Sequence, residues 1–113
     1  MGLEGVIAVD LIYAREKFST ALRDLAVGRG RIKERLIDAY LSIHAAYPPE
    51  GVPLPIAQHM VALRQRLTSK QAQGSESAVS ATVQAMTEEE AAEVADEIVS
   101  LAWDLEHAGN TPE

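Results

Sequence analysis

Apolar residues recur along this chain at alternating intervals of three and four, the period of an amphipathic helix, and nowhere alternate long enough to suggest a strand. The sharpest pattern runs from Thr87 to Gly109, where Ala91, Val94, Ile98, Leu101 and Leu105 form one stripe. Thr87 and Glu90 have the spacing of a capping box, in which each side chain accepts the other residue's backbone N–H. Glu88, Glu89 and Glu90 occupy the first turn, where the helix dipole favours negative charge. Gly109 and Pro112 supply a stop. Trp103 lies beside the stripe and is expected to join the core of a chain with so few aromatics, the alternative being the anchor of an interface.

The same reading places a first helix from about Asp10 to Val27, with Asp10 as N-cap and Leu11, Ala14, Phe18, Ala21, Leu22 and Leu25 facing inward. Residues 1–9 either extend it or stay loose. Gly28 ends this helix, and Gly30 permits a sharp turn. A second helix is expected over roughly Arg31 to Ala46, on Ile32, Leu36, Ala39, Tyr40 and Ile43, with Ile37 and Leu41 widening the stripe so that two neighbours can pack on it. The proline-rich run Tyr47 to Pro55 then imposes an extended crossover. Pro55 suits the first position of a third helix carrying Ile56, Met60, Leu63 and Leu67 inward and Val61 at the margin.

Residues 69–77 are the most polar stretch and are expected to form a flexible loop. Val79, Val83 and Met86 mark a short fourth helix starting near Ser75 or Ser77. Its stripe is offset from that of the last helix by roughly 70° at 100° per residue. That offset, with the cap at Thr87, predicts a break there rather than one long helix. The expectation is a single all-α domain, a compact bundle of four to five antiparallel-type helices without a sheet, ending in a frayed tail at 110–113.

Composition narrows the chemistry. With 113 residues, 47% of them apolar and only five aromatic, the core must be built mainly from aliphatic side chains and alanine. The absence of cysteine removes disulfides, thiolate catalysis and the usual zinc sites. No apolar run is long enough to span a bilayer, and neither a signal peptide nor a myristoylation signal is legible, so a cytoplasmic location is expected. The net charge of −7 conceals a segregation: all ten Lys and Arg lie at or before Lys70 beside seven carboxylates, and residues 71–113 carry ten carboxylates and neither Lys nor Arg. The two halves are expected to neutralise one another in part, leaving some acidic surface for a basic partner.

Three local concentrations are candidate sites. Glu89, Glu93, Asp96 and Glu97 form an acidic helix face suited to a protein partner. Some all-helical nucleotide hydrolases hold magnesium with E-x-x-E and E-x-x-D pairs on two adjacent helices; Glu90, Glu93 and Asp96 give that spacing on one helix only, where carboxylates ordinarily meet water. Arg29, Arg31, Lys33 and Arg35 cluster where a helix starts, a place that offers N–H groups to an anion: a phosphate, or the protein's own Glu88 to Glu90. Interleaved aromatics for single-strand binding are missing, and the overall charge opposes DNA. No two histidines share metal-ligand spacing; Asp104 and His107 alone sit three apart, and His107 reads best as a favourable group at a helix C-terminus. No serine has a nucleophile's surroundings.

By elimination, the expected role is a non-enzymatic interaction or regulatory protein, without cofactor, that binds a protein partner or itself through its amphipathic helices and acidic last helix. The alternatives are the magnesium-dependent hydrolase and nucleic-acid binding through the Gly-Arg-Gly-Arg segment.

Overall fold

The computed structural model describes residues 2–72 and 77–108, with side chains from Leu11 onward. Among these residues there are five α-helices and no strand: α1 (Gly2–Val27), α2 (Ile32–Ile43), α3 (Leu54–Leu67), α4 (Ala78–Gln84) and α5 (Glu88–His107). A short 3-10 turn, His44–Ala46, closes α2. The bundle is all-α, as the spacing predicts. The stop expected at Gly109 and Pro112, the tail 110–113 and the middle of the polar stretch 69–77 lie outside the described residues.

α1 is longer than expected. Its backbone is helical from Gly2, so Asp10 lies within the helix instead of capping it. The upstream sequence gives no reason to stop: Ile7 extends the Leu11–Ala14 spacing backward, and no proline intervenes. Gly28 follows the helix end, and Gly30 adopts φ 93°, the left-handed conformation that makes glycine the residue for this turn. α2 then runs back along α1, with the Glu34 carboxylate accepting the Arg31 N–H at 2.5 Å to satisfy a free donor at its start.

Ala14, Phe18 and Ala21 from α1, Leu36, Ala39, Tyr40 and Ile43 from α2, Met60, Leu63 and Leu67 from α3, Val79 and Val83 from α4, and the α5 stripe together form one buried core. α2 touches α1, α4 and α5, the multiple contact its wide apolar stripe predicts. Leu41 is nevertheless 59% exposed, so it does not widen the buried face. Ile37 does, packing against the core from its edge.

The crossover enters α3 one residue earlier than expected: Pro53 precedes the helix, Leu54 begins it and Pro55 is its second residue. Proline costs nothing in this first turn, where backbone N–H groups have no helical acceptor. Tyr47 anchors the crossover by donating its hydroxyl to the Met60 carbonyl at 2.6 Å. Burial pushes the pKa of this phenol well above its ordinary value; neighbouring Tyr40 pushes it the same way, and Arg64 acts in the opposite direction. The neutral phenol is therefore favoured more strongly in the folded state than in the unfolded chain. Its contribution is complete below the unfolded pKa, near 10, and is lost as pH rises beyond it. Tyr47→Phe should cost about 1 kcal/mol near neutral pH, the net value of a lost hydrogen bond. In denaturation curves recorded across the alkaline range, the gap between wild type and variant should close above pH of about 10.

The break before α5 is where the sequence places it. Ser77 caps α4, its Oγ accepting from the Ser80 N–H at 3.1 Å. After Gln84 the chain turns through Ala85 and Met86 to Thr87, whose Oγ1 accepts the Glu90 N–H at 3.0 Å while the Glu90 carboxylate accepts the Thr87 N–H at 2.8 Å. Thr87→Ala removes one half of this reciprocal pair, and should lower stability by about 1 kcal/mol. For a domain of this size that corresponds to roughly 4 °C in thermal unfolding.

Candidate functional site

α3 and α5 are antiparallel neighbours. Arg66, near the end of α3, pairs with Glu97 at 2.6 Å and Glu93 at 3.7 Å near the start of α5. At the other end, Pro53, Pro55 and Ile56 of the α3 entry face Trp103, Asp104, His107 and Ala108 across an open groove of about 320 Å³. α1 flanks α5 on its other side, where the Arg15 guanidinium donates to the Leu105 carbonyl at 2.7 Å.

These neighbours settle which α5 side chains remain outward. Ala91, Val94, Ala95, Ile98, Leu101 and Leu105 are buried. Trp103 is not: it is 62% exposed, contrary to the expectation that it joins the core. The reason is helical geometry, since a residue two positions from both Leu101 and Leu105 points about 200° away from each. Trp103 lies flat on the His107 ring one turn later, with centroids 3.9 Å apart and planes 26° apart. His107 Nδ1 is 2.8 Å from the Trp103 carbonyl, so the imidazole serves the helix C-terminus and also braces the indole. One turn before Trp103 is Val99, 45% exposed, and across the groove are Pro53, Pro55 and Ile56. An apolar surface centred on the protein's single tryptophan thus opens at this end of the bundle.

The acidic residues named from sequence divide into two groups. Glu93 and Glu97 turn toward α3 and share Arg66. Glu89 and Asp96 are exposed on the Trp103 side of α5 and make no ion pair or side-chain hydrogen bond among the described residues. Surface pairs such as those of Arg66 add about 0–1 kcal/mol each. Their larger consequence is to cancel charge beside α3 and leave the outward face negative. Of the proposed magnesium triad, Glu90 is engaged in the Thr87 cap and Glu93 in the Arg66 pair, while Asp96 points outward. Among the described residues no three His, Asp or Glu side chains come together as a metal site would require.

The basic cluster is largely turned to internal use. Arg35 donates to the Leu25 carbonyl at 2.6 Å, and Lys33 to the Gln84 carbonyl at 3.1 Å, so each places positive charge at a helix C-terminus. Arg31 meets Glu88 at 3.1 Å, the internal anion that the sequence offered it. Arg29 alone of the four makes no such contact among the described residues. The roles of Arg15, Lys33 and Arg35 at helix ends far away in sequence were not visible beforehand, because no local pattern records which terminus will arrive beside them. No helix among the described residues is long and apolar enough to cross a membrane.

Compared with known protein families, characterised proteins and solved structures, the chain matches none.

Proposed function

We propose that this protein is a non-enzymatic recognition module that binds another protein through the outward face of α5 and the adjoining entry to α3. The observation that carries the reading is Trp103, exposed on the side of α5 opposite the core. A large aromatic turned to water contributes little to folding, whereas tryptophan is among the residues that most often dominate binding energy at interfaces. Pro53, Pro55 and Ile56 line the groove beside it, Val99 lies one turn earlier on the same helix, and Asp104 in the groove and Asp96 two turns back add negative charge. The buried stripe of the same helix fixes the indole's direction, so the surface is presented by a rigid element.

A cytoplasmic setting accompanies this reading: the chain carries no cysteine, and its stability rests on packing rather than on disulfides. The test is to identify proteins recovered with the purified chain, reconstitute each with purified components, and compare wild type, Trp103→Ala and Leu41→Ala. Leu41 is an exposed apolar residue on α2 that does not line the groove, and serves as the control. At least one complex should be weakened tenfold or more by Trp103→Ala and unchanged by Leu41→Ala. Equal affinity for all three proteins in every complex would contradict the reading.

A further inference from the structure

Resting on that reading, we infer that the groove between the start of α3 and the end of α5 seats an apolar side chain from a basic amphipathic helix of a different protein. The groove supplies the apolar part: Pro53, Pro55 and Ile56 on one wall and Trp103 on the other, enclosing about 320 Å³, room for one or two bulky side chains. It lies between two antiparallel helices, the arrangement in which a third helix docks by laying its apolar stripe along the seam. Val99 and Trp103, four residues apart, form a ridge that meets such a stripe at helical spacing.

Charge selects the partner. Asp104 lines the groove itself, and Asp96 and Glu89 continue along the outward face of α5. None of these three carboxylates has an ion-pair partner among the described residues, and no Lys or Arg occurs in the sequence after Lys70. Arg66, a cation that α3 brings to α5, is paired with Glu93 and Glu97 on the side of α5 that turns toward α3. A symmetric pairing of two copies through this face would set the carboxylates Glu89, Asp96 and Asp104 of one copy against the same acidic face of the other, and like charges at an interface oppose association. A lysine- or arginine-bearing helix places opposite charge there instead. It also gains from long-range attraction to a half-chain whose formal charge is wholly negative.

The test uses two synthetic helical peptides with the same leucine stripe, one bearing lysine and the other glutamate on the polar face. Trp103 is the protein's only tryptophan, so its emission reports occupancy of the groove directly. The lysine peptide should shift that emission to the blue with saturation, and its affinity should fall several-fold as salt is raised toward physiological strength. By calorimetry, Asp96→Asn with Asp104→Asn should weaken it about tenfold, and Ile56→Asp should abolish it while Leu41→Ala changes nothing. Equal binding of the two peptides, no binding of the lysine peptide, or indifference to Ile56→Asp would overturn the inference. If a reconstituted natural complex still depends on Trp103 in those cases, recognition through α5 stands and only the partner's chemistry is refuted. If no complex depends on Trp103, both fall.

Discussion

Phe18→Ala should lower the free energy of unfolding by about 3–5 kcal/mol, the largest loss expected from any single truncation in this chain. Phe18 is the only phenylalanine and is completely buried at the centre of the α1 stripe. Its neighbours on that stripe, one turn to either side, are Ala14 and Ala21, both buried and both too short to fill the vacated volume. α1 packs against both α2 and α5, so the cavity would open where the bundle's longest helix meets two others. Domains of this kind are stable by roughly 5–15 kcal/mol, so a loss of this size removes a large share of the total. Denaturant titration should show the midpoint falling with little change in slope. Phe18→Leu, which keeps most of the volume, should cost about 1–2 kcal/mol. A Phe18→Ala variant as stable as wild type would mean that α1 does not pack as described.

Trp103→Ala should do the reverse. Its effect on stability should stay within about 0.5 kcal/mol, as for an ordinary surface substitution, because the indole is mostly exposed and lies outside the buried core. Its only ring partner among the described residues is His107, itself exposed at the end of the helix. Binding of the natural partner, in contrast, should weaken by about 2 kcal/mol or more, roughly thirtyfold in affinity, the usual cost of truncating a tryptophan at the centre of an interface. Thermal unfolding and titration of the reconstituted complex measure the two quantities separately. A marked drop in melting temperature with unchanged affinity would assign Trp103 to the core.

These two residues also mark what could and could not be read in advance. Phe18 and the α5 stripe were legible because a helix imposes its period on every residue within it, and burial follows from that period once a core exists. The Thr87 cap was legible for a similar reason: capping is a contact between residues three apart, contained within the local sequence, whereas for the fourth helix the sequence left its start open between Ser75 and Ser77. Trp103 departs from the expectation that it is buried because its phase relative to Leu101 and Leu105 directs it outward, and on this helix phase outweighs hydrophobic character. Leu41 is exposed for a related reason, since apolar character widens a buried stripe only where a neighbouring helix arrives to cover it.

The division of the acidic residues was beyond the sequence for a different reason. Helical phase sets Glu93 and Glu97 to one side of Glu89 and Asp96, but that this side meets Arg66 depends on the arrival of α3, a contact spanning about thirty positions. The groove at the Trp103 end depends likewise on how α3 approaches α5, which local periodicity does not encode. Charge segregation was visible as a sum along the chain, and the fold converted it into one cancelled face and one uncancelled face.

The central claim is that α5 turns its buried stripe inward and its indole to water, and the fluorescence of the sole tryptophan in the isolated dilute protein tests it most directly. The account predicts emission close to that of an indole in water and ready quenching by acrylamide, little altered when the chain is unfolded. Blue-shifted emission protected from the quencher at every protein concentration, and released only on unfolding, would contradict it.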